Sequence, residues 1–352
     1  MPKKTNIFIL LLLLAVFTSG CQAFSGAKED GIPDTSYVFK GTEGLVISFF
    51  DGDPPDRVFP GSRIQVALLL ENRGAVAIPC NTREECGEFL VFSKSPIVIS
   101  EQDSLFTAVQ DTAVQELDKR LSGKESYVSG GMAAHSISNV LVETPSKSTS
   151  SLIFAAACYP YKTKLSTPVC VDTAPFILPK EQRVCNLDDL RLTSQGAPVA
   201  IRKIVQSNFI TVEKGPDGRD VEVVRPHLRI FVENAGKGIV LERSPESFNK
   251  ACTSESLTQG IDKLIIGKIS VESADVSGKE MKCNDGRPFF TLSGDSKKDF
   301  IECIVREGQG FARKDYENNF ISTFNIVLSY GYQSAASKEV EVAVIEREDE
   351  AT

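Results

Sequence analysis

The chain contains no tryptophan and only two histidines, and these scarcities exclude most common catalytic and metal-binding designs. A Ser-His-Asp triad and most zinc sites use histidine as base or ligand, and only His135 and His227 are present. Basic residues are also outnumbered, with 39 lysines and arginines against 47 acidic residues and a net charge of −8. Because nucleic-acid-binding proteins carry a basic field that displaces counterions from phosphates, this balance argues against nucleic acid as a partner.

Recognisable catalytic motifs are missing as well, including G-x-S-x-G, H-E-x-x-H, the P-loop and the dinucleotide fingerprint. Ser247 and Lys250 fit an S-x-x-K pattern, but a chain rich in both residues contains such a match by chance. Asp51, Asp53 and Asp56 offer oxygen ligands of the kind that calcium takes, yet the adjacent prolines favour a turn. We therefore expect no catalysis, no cofactor and no metal site.

The N-terminus has the order of an export signal. Two lysines precede an apolar run from Ile7 to Phe17, and small residues lead from this run to Cys21. These 11 residues span about 16 Å as a helix, roughly half of a hydrocarbon core, which favours an export signal over a transmembrane helix. The Ser-Gly-Cys ending resembles a lipobox, although Thr18 stands where leucine is usual. This resemblance implies that Cys21 carries a lipid that attaches the protein to the membrane. The alternatives are cleavage near Ala23, which would release the protein, and an uncleaved signal anchor.

If the protein is exported, its other eight cysteines are in an oxidising compartment, and we expect them to form disulfides. A zinc site is disfavoured because no C-x-x-C pair is present. Sequence proximity favours four pairs: Cys80–Cys86, Cys158–Cys170, Cys185–Cys252 and Cys283–Cys303.

An internal repeat divides the chain into two similar halves. Residues 63–74 alternate between apolar and polar and end in Glu-Asn-x-Gly, and residues 227–236 repeat the pattern so that Asn72 corresponds to Asn234. A second match aligns Cys-Tyr-Pro-Tyr at 158–161 with Ser-Tyr-Gly-Tyr at 329–332. Alternation with a period of two that ends in Asn-x-Gly is typical of a half-buried strand that runs into a turn.

These patterns predict an all-β protein with two tandem immunoglobulin-like β-sandwich domains and one helix inserted in the first. The helix is expected over 104–122, because apolar residues recur there every four positions. A linker with two prolines is expected to make the pair of domains a semi-rigid rod. The expected segments are a signal peptide (1–20), a tether (21–36), domain 1 (37–174), the linker (175–184), domain 2 (185–346) and a charged tail (347–352).

With its lipobox-like signal, its strands ending in Glu-Asn-x-Gly and its tandem halves, the chain resembles archaeal and bacterial cell-surface lipoproteins built from immunoglobulin-like repeats of the CARDB type. The resemblance covers about residues 40–345 and implies a stalk-like or adhesive envelope module without catalysis, which contacts a protein of the envelope or cell surface. The alternative is a ligand-binding or hydrolytic lipoprotein that uses the loops at one end of a sandwich. That alternative requires a concave site with converging polar groups, whereas an interaction module requires an exposed edge strand or apolar patch.

Overall fold

The computed structural model describes residues 38–110, 121–125, 130–173, 182–287, 289–292, 298–316 and 318–344, all within one compact unit. The expected signal peptide, the tether with Cys21 and the charged tail lie outside these residues, as does most of the expected linker. No helix among the described residues is both long enough and apolar enough to cross a bilayer.

Antiparallel strands dominate the described part of the chain, as the sequence predicts. The strands are β1 (Leu45–Phe49), β2 (Arg57–Val58), β3 (Arg63–Asn72), β4 (Glu88–Ser93), β5 (Ser100–Ser104), β6 (Met132–Leu141), β7 (Thr149–Val171), β8 (Leu190–Arg191), β9 (Val199–Lys214), β10 (Asp220–Asn234), β11 (Ile239–Leu241), β12 (Lys268–Val276), β13 (Lys279–Cys283), β14 (Phe290–Thr291), β15 (Lys298–Val305), β16 (Phe311–Ala312) and β17 (Phe320–Val342). The helices are α1 (Arg83–Cys86), α2 (Leu105–Gln110), α3 (Pro245–Ala251) and α4 (Ser254–Gln259). Helix α2 matches the start of the helix expected over 104–122, and residues 111–120 lie outside the described part.

The strands form a three-stranded sheet in the order β1-β3-β6 and a larger sheet in the order β5-β4-β7-β17-β12-β13-β15-β10-β9-β8. The two copies of the repeated strand, β3 and β10, each lie between two antiparallel partners. The predicted inward faces of both strands are confirmed. On them the following side chains are buried: Ile64, Val66, Leu68 and Leu70 in β3, and Leu228, Ile230 and Val232 in β10.

A long antiparallel ladder, the pairing of β7 with β17, joins the two halves. Strands β7 and β17 contain 23 residues each and pair along their whole length, from Thr149 opposite Val342 to Val171 opposite Phe320. At 3.3 Å per residue this ladder is about 75 Å long. The halves are therefore hydrogen-bonded side by side, a connection that the sequence interpretation of a semi-rigid rod did not include.

The ladder has a local two-fold axis between Pro160 and Gly331, which are directly opposite each other. Tyr159 is opposite Tyr332, and Tyr161 is opposite Tyr330. In the sequence repeat, position 159 corresponds to 330 and position 161 to 332. Tyr159 therefore lies opposite the residue equivalent to Tyr161, and Tyr161 lies opposite the residue equivalent to Tyr159, as a two-fold axis requires.

The cysteine pairs correct two expectations. The pairs Cys80–Cys86 and Cys283–Cys303 are those expected from sequence proximity, whereas the expected pairs Cys158–Cys170 and Cys185–Cys252 are replaced by Cys158–Cys252 and Cys170–Cys185. We expected Cys158 and Cys170 on opposite arms of a hairpin, but both lie on β7, where their separation along one extended strand is about 40 Å. A disulfide requires Cα atoms within about 7 Å, so these two residues cannot pair.

The Cys158–Cys252 disulfide connects the two halves. Its Cα atoms are 5.9 Å apart, and it attaches the end of helix α3 to β7. A small apolar cluster surrounds this disulfide and includes Ala156 from β7 and Phe248 from α3. The helix is held further by Gln333 of β17, whose Nε2 donates to the Ala251 carbonyl at 2.9 Å.

Candidate functional site

Four buried tyrosines surround the local axis. Neighbouring ring centroids lie between 5.9 and 6.5 Å apart, and the rings form a closed set: Tyr159, Tyr161, Tyr330 and Tyr332. The hydroxyl of Tyr159 lies 3.1 Å from Ser334 Oγ, and the hydroxyl of Tyr330 lies 2.9 Å from Thr163 Oγ1. These two contacts are related by the repeat, so the symmetry extends to the side chains.

The Asn-x-Gly ending of each repeated strand holds one of these tyrosines. The hydroxyl of Tyr161 donates to Asn72 Oδ1 at 3.3 Å, and that of Tyr332 donates to Asn234 Oδ1 at the same distance. A Cβ added to Gly74 would lie 1.8 Å from the Tyr161 hydroxyl oxygen. The glycine is therefore required because the hydroxyl occupies the space that any other residue would need.

Burial is the main influence on the acidity of the cluster. Removal from water raises the pKa of all four tyrosines above the usual value, and the hydrogen bonds between Ser334 and Tyr159 and between Thr163 and Tyr330 offset only part of this rise. The tyrosines are thus neutral hydrogen-bonding groups at physiological pH. They join the two halves of the protein. The candidate functional site is a groove that lies beside them.

A groove of about 620 Å³ lies beside the cluster, and we call it the edge groove. It is lined by residues 41–47, residues 235–239 and residues 332–335. One wall is the edge of β17, and the other includes β1, which pairs with β3 alone among the described strands. The groove therefore lies between two strand edges.

The edge of β17 contains a gap in its row of partners. On the side away from β7, β11 pairs with residues 331–333, β2 pairs with residues 341–342, and no described strand pairs with residues 334–340 between them. The gap measures about 23 Å at 3.3 Å per residue.

Backbone groups of alternate residues face this gap. The N–H of Glu341 donates to the Asp56 carbonyl at 2.9 Å, away from β7, which identifies the odd-numbered residues of β17 as the outward set. Within the gap these are Ala335, Ser337 and Glu339, and no described residue forms a backbone hydrogen bond with their outward groups. The edge thus presents N–H and C=O groups at the spacing of a β-strand.

The repeat supplies a blocked copy of the same edge. Ala335, Ser337 and Glu339 correspond to Lys164, Ser166 and Pro168 of β7. Proline removes one outward N–H, and Lys164 forms an ion pair with Glu125 at 2.8 Å beside that edge. Proline and lysine are the residues with which proteins protect free edges against pairing. The edge of β17 has neither residue among its three outward positions.

The residues that the sequence offered as candidates for chemistry do not form a site. Lys250 Nζ pairs with Glu246 at 2.6 Å rather than with Ser247, whose Oγ lies 2.8 Å from Ser244 Oγ. Among the described residues, no group of three or more histidine, cysteine or acidic side chains is arranged to hold a metal, and this includes the aspartates at 51, 53 and 56.

The two histidines have structural neighbours. His135 is buried, and its Nε2 lies 3.0 Å from Glu101 Oε1. His227 Nδ1 lies 3.0 Å from Ser207 Oγ, and burial lowers the pKa of its imidazole. Cys21 lies outside the described residues, so its lipidation stays a prediction.

No protein-family model matches the chain, and no curated protein matches it.

Proposed function

We propose that the protein is a lipid-anchored module of the cell envelope or cell surface, built from two immunoglobulin-like halves, that binds a protein partner without catalysis. The partner adds an extended segment as a strand to β17 at residues 334–340. The observation that carries this proposal is the unpaired stretch between β11 and β2. Its four disulfides indicate an extracytoplasmic protein. Attachment to the membrane is supported by the lipobox-like sequence at Cys21.

The chemistry of the gap selects a polypeptide strand as its occupant. Donors and acceptors alternate along one line, and a second backbone in extended conformation is the complement that repeats at this interval. The side chains of Ala335, Ser337 and Glu339 are exposed and the first two are small. Because β11 and β2 limit the gap at both ends, the added strand has room for about five to seven residues.

Site-specific photocrosslinking on intact cells of the native host tests this proposal. A photoreactive residue at Ser337 is expected to give a protein adduct, whereas one at the corresponding Ser166 of the blocked edge is expected to give none. The variant Glu339→Pro copies the proline of the blocked edge and removes one outward N–H without touching the ladder to β7. It is expected to lower the Ser337 adduct about tenfold, which corresponds to the loss of roughly 1.4 kcal/mol of binding free energy.

Glu339→Ala is the matched control, because it removes the same side chain and keeps the N–H. It is expected to leave the adduct unchanged. Amide hydrogen exchange at Ala335 and Ser337 should slow by at least about tenfold when the captured partner is bound. An adduct that is equal in the proline and alanine variants, or the lack of any adduct at Ser337, would contradict strand addition.

A further inference from the structure

A second concavity lies on the outer face of the second half and shares no lining residue with the edge groove. It has a volume of about 660 Å³, within the range of small-molecule sites, and we call it the aromatic groove. Its floor is formed by side chains of β10 and β15, including His227, Glu302 and Ile304. Its wall is the turn after β13, from Asn284 to Arg287.

Three phenylalanines in this groove are exposed to solvent. Phe209, Phe289 and Phe300 expose 48%, 43% and 44% of their surface. Leaving such rings in water forfeits the stabilisation that burial provides, at about 25 cal/mol per Å². Exposed aromatic rings that converge on one groove are therefore typical of a binding surface rather than of a protein core.

The rings are held in place by their neighbours. The ring of Phe209 lies 5.1 Å from that of His227, and the ring of Phe300 lies 5.7 Å from that of Phe231. Arg229 lies over Phe300 at 5.1 Å from the ring centroid. An aromatic platform that is ordered before its ligand arrives loses little conformational entropy on binding.

The wall of the groove is fixed as well. Cys283, which precedes the turn, is bonded to Cys303 of β15. Asn284 and Asp285 both have positive φ angles, of 46° and 54°, which are uncommon for residues other than glycine. Asparagine and aspartate adopt this region more readily than other residues that have a side chain, and it is typical of tight turns.

Polar groups of both signs surround the rings and balance one another. The groove contains three carboxylates, from Asp285, Asp299 and Glu302, and two cations, from Lys282 and Arg287. Glu302 is already paired with Arg229, which lies outside the lining and whose Nη2 is 2.6 Å from Oε1. The remaining two carboxylates and two cations have no net charge. The groove therefore lacks the single-sign field that attracts an ionic ligand.

We propose that the aromatic groove binds a neutral oligosaccharide. A sugar ring offers an apolar face of C–H groups to an aromatic ring and hydroxyls at its rim that donate and accept hydrogen bonds. The phenylalanines supply the first kind of contact. Carboxylates beside ammonium, guanidinium and amide groups supply the second, since adjacent hydroxyls need one acceptor and one donor. A volume of about 660 Å³ accommodates a short oligosaccharide rather than a single sugar.

Calorimetric titration of the full-length protein in detergent micelles tests this proposal. The probes are neutral tri- and tetrasaccharides of hexoses and N-acetylhexosamines, with an acidic oligosaccharide as the comparison. At least one neutral probe is expected to bind, and Phe300→Ala is expected to raise its Kd about tenfold, the equivalent of roughly 1.4 kcal/mol. Phe59→Ala is the matched control, because Phe59 is 47% exposed and lies outside the groove. It is expected to leave the Kd unchanged.

Salt separates this proposal from an ionic ligand. Because a neutral sugar makes no charge pair, its Kd is expected to change less than about twofold between low and high salt. Binding of the acidic probe alone, with an affinity that falls steeply with salt, would overturn the proposal. Failure of every neutral probe, or equal Kd values for Phe300→Ala and Phe59→Ala, would do so too. Glu339→Pro is expected to leave sugar binding intact, which keeps this test independent of the strand-addition proposal.

Discussion

Replacing Asn72 by alanine tests how strongly the Asn-x-Gly ending holds the tyrosine cluster. The Asn72 side chain is fully buried and makes four hydrogen bonds. Its Nδ2 donates to the carbonyls of Val76 and Leu121 at 2.9 and 3.0 Å. Its Oδ1 accepts from the Gly74 N–H at 3.1 Å and from the Tyr161 hydroxyl at 3.3 Å. At about 1 kcal/mol per bond, Asn72→Ala should lower the free energy of unfolding by about 4 kcal/mol.

The repeat provides a matched control at Asn234, which is half-buried and makes two of these bonds. Its Nδ2 donates to the Gly238 carbonyl at 2.8 Å, and its Oδ1 accepts from Tyr332. Asn234→Ala should therefore cost about 2 kcal/mol. Both values are measured by guanidinium unfolding of the oxidised protein, with equal m-values as the check that the same transition is observed. A cost below about 1 kcal/mol for Asn72→Ala, or equal costs for the two variants, would refute this account of the motif.

Three further predictions concern the cluster and the disulfides. First, the folded cluster keeps four protons that the unfolded chain loses as the pH rises through about 10, so the free energy of unfolding should fall by about 4 kcal/mol between pH 10 and 11, measured by denaturation at these two pH values. A fall that Tyr161→Phe does not reduce would contradict this. Second, Gly74→Ala should destabilise the protein by about 1–3 kcal/mol, because the added methyl group clashes with the Tyr161 hydroxyl. In a double-mutant cycle, Tyr161→Phe should relieve part of that cost, and additive effects of the two substitutions would show that the clash is not the cause. Third, proteolysis without reduction and mass spectrometry should recover Cys158 linked to Cys252; a peptide linking Cys158 to Cys170 would contradict the single long strand.

The strands themselves could be predicted from the sequence because alternation is a local signal. The inward faces of β3 and β10 and the correspondence of positions 158–161 with 329–332 are read directly from residue types. The two-fold axis could be predicted only in part. The repeat shows which positions are equivalent, but it does not show whether the equivalent strands pair with each other, because that depends on contacts between residues about 170 positions apart.

The cysteine pairs show the same limit. Proximity along the chain succeeded for Cys80–Cys86 and Cys283–Cys303, where a turn or a neighbouring strand brings the residues together. It failed for Cys158, because the length of β7 could not be inferred and Cys158 and Cys170 were expected on opposite arms of a hairpin. Pro160 lies opposite Gly331, and the backbone N–H and C=O groups at these two positions point away from the β7–β17 ladder. The N–H that proline lacks would therefore form no hydrogen bond in this ladder.

The candidate sites were beyond the sequence for a related reason. A strand edge is unpaired when no other strand lies beside it in the fold, and the residue pattern of the strand itself does not show this. One signal was available, since the repeat places Pro168 and Lys164 where the other copy has Glu339 and Ala335. The aromatic groove depends on Phe209, Phe289 and Phe300, which come from separate segments and meet only in the folded sheet.

Differential scanning calorimetry of the oxidised protein tests the central claim most directly, namely that the β7–β17 ladder and the four tyrosines make one cooperative body of the two halves. The account predicts one unfolding transition whose calorimetric and van't Hoff enthalpies agree. Asn72→Ala and Asn234→Ala, one in each half, should both shift that same transition to lower temperature. Two separable transitions, each moved by only one of the variants, would contradict it.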